Sequence, residues 1–354
     1  QCGFNCTQYC TRVLNNGYVY DGAQDSNKKP VYDVQRLFVV TDLTDKVKER
    51  MATVPAEIQE ALKVVAAGSN NKPVSQIGTC CTKPYECAFV KYCKECCRIS
   101  TPSVFDIYQA RAFQNVEKGI VTVEDFEKKL KGDGPYAKIQ RMQIDLLKSE
   151  SEETVVNKEG VRNFLSQLTA PLYFLDFETM QFALPQYAGM KPYQQITFQY
   201  SLHIAKDENA EPEHREYLAP SDGNDPRRGL ADQLVEDIPM DVCVVAYNKS
   251  FECARLKELA EAYPDLGAHL LNIRDHIVDL LDPFRAGYCY NNAMKGSFSI
   301  KHVLPALFPH DKALNYANLQ GSVHNGGEAM DIFPKIKDMA SAEQAAARES
   351  LLRY

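Results

Sequence analysis

The chain has 354 residues, 45% of them hydrophobic and 25% charged, with a net charge of −7. That length leaves room for two domains. The apolar runs fall well short of a helical membrane span, and the net acidity argues against a generally basic coat for nucleic acid.

No secretory signal opens the chain. It begins at Gln1 and ends in Glu349-Ser-Leu-Leu-Arg-Tyr354, a helical run without a stop signal, so both ends read as cut. Residues 1–100 hold 13 Lys and Arg against 10 Asp and Glu, which leaves the excess negative charge to the remainder.

In chain order, Cys10-Thr-Arg-Val-Leu14, an Asn15-Asn-Gly17 turn and Tyr18-Val-Tyr20 read as a β-hairpin. Val34–Val40 reads as a further strand. Thr41-Asp42 then opens a helical stretch to Ala67, broken near Pro55, and Gly68 to Pro73 reads as a loop. The spacing predicts mostly helix over 102–170, with a small element at Val121–Phe126 ended by Gly132-Asp-Gly-Pro135, and a short helix at Val161–Leu168. A domain boundary falls between about 100 and 165.

The second part alternates clearly. Leu172–Phe177, Gln195–Ile204 and His214–Leu218 read as strands, 226–237 as a helix, Val242–Ala246 as a strand and Ser250–Ala262 as a helix. This β-β-β-α-β-α order predicts an α/β domain, a mixed sheet flanked by helices.

Leu172-Tyr-Phe-Leu-Asp-Phe-Glu-Thr179 ends an apolar strand in two acids. Strand side chains alternate, so Asp176 and Glu178 share a face, and paired carboxylates suit a divalent cation. Ala246-Tyr-Asn-Lys-Ser-Phe-Glu252 puts a third acid in the first turn of a helix just past a strand end. Glu252 either points back toward the first strand or complements the helix dipole. Asn248 and Ser250 are helix-cap types. Asp279 is a candidate for the site edge or a helix-surface acid. Gln199 and Ser201 are candidates for substrate phosphate or the polar face of a strand.

Twelve cysteines is a high count, and Cys80, Cys81, Cys87, Cys93, Cys96 and Cys97 crowd into 18 residues. Without a secretion signal a reduced compartment, the cytoplasm, is the better reading, with a metal or cluster site. Cys81, Cys87 and Cys93 stand at two equal gaps of five residues, open to zinc or an iron–sulfur cluster.

The Asp176-Phe-Glu-Thr179 and Tyr247-Asn-Lys-Ser-Phe-Glu252 segments together resemble the DEDD exonuclease superfamily, which has an RNase H-like fold of the same element order. The resemblance implies two-metal hydrolysis, with Asp176, Glu178 and Glu252 holding two Mg²⁺ or Mn²⁺ ions. Glu252 stands where that family has Asp. Tyr354 matches the first residue of the family's Y-x-x-x-D motif, which implies a phenol orienting the attacking water; the Asp would lie beyond the sequence. Glu328 and Asp331 are in-chain substitutes or a solvated helix face. Asn248 and Gln199 stand as substrate contacts.

Cys81-Thr-Lys-Pro-Tyr-Glu-Cys87-Ala-Phe-Val-Lys-Tyr-Cys93 resembles the end of RecB-type nucleases of the CRISPR-associated and AddB-like kind. That implies a four-iron cluster beside a PD-(D/E)XK domain, with zinc as the alternative. With Phe198-Gln-Tyr-Ser-Leu-His203 and Gly296-Ser-Phe-Ser-Ile-Lys301 added, the chain resembles a bacterial domain-of-unknown-function family joining such a cluster segment to a DEDD-like, DnaQ-like exonuclease. The implied organisation is a Cys-rich α+β tail at 1–100, a helical linker at 101–168 and an exonuclease domain at 169–354. The implied activity is 3′–5′ exonuclease on single-stranded ends of DNA or RNA. The alternatives are a catalytically degenerate nucleic-acid-binding or scaffolding protein, and a zinc-stapled interaction domain.

Overall fold

The computed structural model describes residues 6–68, 75–132, 134, 136–207, 209–314, 318 and 323–354. Cys2, most of the expected loop at 68–73, and Asp133 and Pro135 of the expected helix break lie outside them. The chain forms two compact units. One is Gln1–Ser75 with Gln181–Gln194, and the other is Gln76–Met180 with Gln195–Tyr354. The cysteine segment packs with residues later in the chain: Ile77, Cys81, Val90 and Cys93 form an apolar cluster with Phe105 and Phe113. Among the described residues, no helix is long and apolar enough to cross a membrane.

In the first unit, Cys10–Leu14 pairs antiparallel with Phe38–Asp42, Cys10 opposite Asp42. The expected hairpin partner, Tyr18–Tyr20, is elsewhere. Asn15 sends its backbone N–H to the Leu37 carbonyl and its side-chain amide to that of Arg36. Tyr18 and Tyr20 are then buried with Leu37, and Tyr20 exchanges backbone hydrogen bonds with Gly189 and Met190. Val34–Leu37 is a helical turn rather than strand, because the Asp33 carboxylate accepts from the Gln35 and Arg36 amides. Helices Thr44–Met51 and Val54–Ala66 follow, with Pro55 in the first turn of the second, where a missing N–H costs nothing.

The second unit opens with short helices, Val90–Cys96, Ala112–Val116, Val123–Lys129, Ala137–Lys148 and Lys158–Leu165. A two-residue strand, Val155–Val156, interrupts them and pairs with Cys289–Tyr290. The sheet comes next: β1 (Leu172–Gln181), β2 (Gln195–Ala205), β3 (Glu213–Leu218), β4 (Cys243–Ala246) and β5 (Ile277–Asp279). Their order across the sheet is β3-β2-β1-β4-β5. β2 and β3 are antiparallel, while β1, β4 and β5 run parallel. This mixed sheet carries α1 (Arg227–Asp237), α2 (Ser250–Ala262) and α3 (Pro264–Asp275) on one face. There Tyr173, Leu175 and Phe177 of β1 meet Leu230, Leu234, Leu256, Leu259, Leu270 and Ile273. Each such leucine contributes roughly 1.5–3 kcal/mol by leaving water. The chain closes with α4 (Ile300–Leu307), α5 (Gly326–Ile332) and α6 (Ser341–Arg353).

Candidate metal centre

Strand register builds the site. The parallel pairing of β1 with β4 ends at Phe174 opposite Val245. β1 continues past it, so Asp176 and Glu178 overhang the point where β4 turns into α2. Tyr173, Leu175 and Phe177 fill the core, and period-two alternation gives Asp176 and Glu178 the other face. Ala246 lies opposite Asp279 on β5. The carboxyl ends of three parallel strands therefore share one rim, the usual place for a ligand in sheets of this kind. Thr179, the last residue of the motif, ties β1 to the start of β2 through its hydroxyl on the Gln195 side chain, at 2.5 Å.

The turn from β4 to α2 is held by Asp279. One of its oxygens accepts from the Asn248 backbone N–H at 2.7 Å and the Leu281 N–H at 3.0 Å. Asn248 adopts a left-handed backbone, φ 65°, which asparagine tolerates better than most residues. Its side chain does not cap α2, which starts without a side-chain cap; its Oδ1 accepts from Arg285 at 3.2 Å. The turn delivers Glu252, only 3% exposed, into the first turn of α2, with Oε2 buried and without a hydrogen-bond partner among the described residues. The nearby cation Arg255 is engaged with Glu258 at 2.6 Å.

The acids act on one another. Burial raises Glu178 to about 8, the charges of Asp176 and Glu252 add to the rise, and Lys301 opposes it. Burial likewise raises Glu252 to about 7, with Asp176 and Asp279 adding to it. Asp176 is exposed at the strand edge of the site, and desolvation raises its carboxyl too. The structure thus brings Asp176, Glu178 and Glu252 within electrostatic reach of one another. They are not drawn to ligand distance: among the described residues, no three His, Cys, Asp or Glu side chains are posed to hold a metal ion. The unpartnered Glu252 oxygen and the all-carboxylate donor set nonetheless fit a hard divalent cation.

Other candidates lie apart or have other tasks. Gln199 is buried, and its amide donates to the Leu351 carbonyl of α6 at 2.7 Å, so it joins a helix to β2 instead of facing substrate. Ser201 lies 3.3 Å from the His214 ring. Tyr354 is half-buried at the end of α6, its N–H on the Ser350 carbonyl. Glu328 and Asp331 are exposed, and Glu328 accepts from the His324 backbone at 2.7 Å. It is the backbone of α5 that approaches the site: a Cβ on Gly326 would stand 3.3 Å from Glu178 Oε2. Asp279 is a buried strand residue, not a helix-surface acid. Spacing alone missed its grip on the turn and the place of Lys301 beside Glu178; the Gly296–Lys301 segment was the available signal for the latter.

In the cysteine segment, Cys81 and Cys93 are buried and Cys87 is exposed, its N–H on the Cys81 carbonyl at 2.8 Å. The Cys80 and Cys81 side chains are hydrogen-bonded, and Tyr92 engages Cys96. The described thiols share no common centre, so the segment as it stands does not fit a closed iron–sulfur or zinc ligand set.

Residues 173–299 match the model of a family described as Domain of unknown function (DUF2779). The match runs from β1 to the residue before α4 and leaves out the cysteine segment. The chain is also similar to Uncharacterized protein UU173 of Ureaplasma parvum serovar 3 (strain ATCC 700970), 27% identical over 210 residues, which are 52% of this chain and 30% of that protein. No solved structure matches. Similarity thus falls on the acid-bearing sheet and on a family of unknown function.

Proposed function

We propose that this chain is a metal-dependent nuclease, a 3′–5′ exonuclease acting on single-stranded ends through Asp176, Glu178 and Glu252. The observation that carries it is the gathering of these carboxylates at one sheet rim, with Glu252 buried and its Oε2 without a hydrogen-bond partner, and with Lys301 and Arg255 the cations that temper them among the described residues. Acids gathered in this way are costly unless a positive charge joins them. The central place of β1, with β2 and β3 on one side and parallel β4 and β5 on the other, supports an RNase H-like reading of the sheet.

Asp176 and Glu178 offer two oxygen donors from one strand face, and Glu252 a third from the facing helix turn. A divalent cation bound there supplies an acidified water and a counter-charge for the phosphoryl oxygens. Asp279 holds the Glu252 turn, and Lys301 limits the negative charge at Glu178. Because the glutamates are held protonated by burial, cation binding releases protons.

The test is hydrolysis of a 5′-labelled oligonucleotide by the full-length protein in Mn²⁺, with Asp176→Ala and Glu252→Gln alongside. A ladder shortening from the 3′ end in wild type, reduced at least roughly a hundredfold in both variants, is the expected result. Activity surviving in Asp176→Ala rejects the reading. Strand binding without turnover in wild type supports the degenerate binding module instead.

A further inference from the structure

Beside the acids lies a cavity of about 700 Å³ whose walls come from outside the five-stranded sheet. One wall is the segment 107–113, which precedes the sheet domain. The other is the Gly296–Ile300 loop, with Tyr247, Asn248 and Arg285 at its base. The walls are fastened to each other. Gly296, at φ +69°, comes so near that a Cβ there would stand 2.4 Å from the Asp106 carbonyl oxygen. Tyr247 donates its hydroxyl to the Phe298 carbonyl.

The lining combines rings with cations. Tyr108 is half-buried and packs on the buried Phe298 ring, 4.5 Å between centroids. Arg111 is exposed and adopts a left-handed backbone at φ 51°; its carbonyl accepts from the Asn115 N–H, and its guanidinium has no hydrogen-bond or ion-pair partner among the described residues. Arg285, its side chain 45% exposed, is only partly engaged, 3.9 Å from Asp279. Two of its lining residues neighbour the acid rim along the chain. Asn248 lines it in the turn that delivers Glu252, and Ile300 lines it next to Lys301, whose charge reaches Glu178.

We propose that this cavity seats a nucleotide of single-stranded nucleic acid flanking the scissile phosphate, its base against the half-buried Tyr108 ring and its phosphate between Arg111 and Arg285. Ring faces accept any base, and guanidinium groups pair with phosphate in two parallel hydrogen bonds. The proposal takes its orientation from the nuclease reading, but binding at the cavity needs no metal.

The experiment is fluorescence anisotropy of labelled oligothymidine and oligouridine with the full-length protein in EDTA, comparing wild type with Arg111→Asn and Arg285→Gln. Asparagine accepts the left-handed backbone, and glutamine keeps a donor for Asn248. Mn²⁺-induced thermal shift is measured on the same proteins. Each variant is expected to weaken binding of one or both oligomers at least roughly tenfold, and to lower the salt slope by about 0.7 per lost phosphate contact, while Arg111→Asn keeps the Mn²⁺ shift. Variants that bind like wild type, or a wild type that binds neither strand, overturn the inference. A Mn²⁺ shift that is absent while the oligonucleotide effect persists defeats the nuclease reading and leaves the cavity standing.

Discussion

In the folded chain Glu178 and Glu252 release their protons at about 8 and about 7, against an ordinary value of 4.5. The unfolded chain ionises both near that ordinary value, so between the two limits the folded state holds more protons. Without metal, stability is therefore full below about 4.5, falls as pH rises to about 8 and is flat beyond. Thermal melts of the metal-free protein across that window are expected to show the decline. Glu252→Gln, which removes one of the two titrations, is expected to flatten it and to raise stability at pH 8 by on the order of 2 kcal/mol. A melt independent of pH over this range contradicts the burial assigned to these acids. Asp176 and Glu178 were legible because strand alternation is rigid: once β1 was read, their common face came with it. The mutual pressure between them and Glu252 was not, since it depends on a neighbour far along the chain.

At the scale of elements, the longer strands and four-residue β4 are legible in the sequence, and the two- and three-residue strands are not. β1, β2 and α2 are set by alternation and by helical spacing, and their ends fall within a few residues of the expected ones. β5 is three residues long, buried, and comes after a helix that starts with Pro264; a run so short has no period to read. The first strand was misassigned a partner because Asn-Gly signals a tight hairpin, whereas the Asn15 side chain here reaches the carbonyl of Arg36. β5 matters out of proportion to its length, because it carries Asp279 to the turn before α2. Asp279→Ala strands the amides of Asn248 and Leu281, at a cost of on the order of 2–4 kcal/mol. The expected outcome is a lowered melting point together with a loss of Mn²⁺-induced stabilisation. Retained stabilisation would show that the turn keeps its shape without that carboxylate.

For the whole molecule, the consequential feature is that residues 181–194 leave the sheet between β1 and β2 and belong to the first unit. The Gly189 amide donates to Tyr20, and the Tyr32 hydroxyl reaches the Pro185 carbonyl. Tyr20 is buried in a small core with Tyr18 and Leu37, so Tyr20→Ala is expected to remove roughly 3–5 kcal/mol there. Hydrogen exchange should then show Gly189 losing protection while Val244 and Ile277 in the parallel strands keep theirs. Simultaneous loss at all three positions would mean that the two units unfold as one. Nothing in the spacing of residues 181–194 marks them as part of another unit.

The same connection sets a timetable for synthesis. Tyr18, Tyr20 and Leu37 are made well before their partners around Gly189 and Met190, which come only after the intervening short helices and β1. At roughly 5–20 residues per second, that wait is on the order of ten seconds. Through that interval the nascent segment carries Tyr18, Tyr20 and Leu37 with their covering incomplete, an apolar surface within reach of a chaperone at the ribosome.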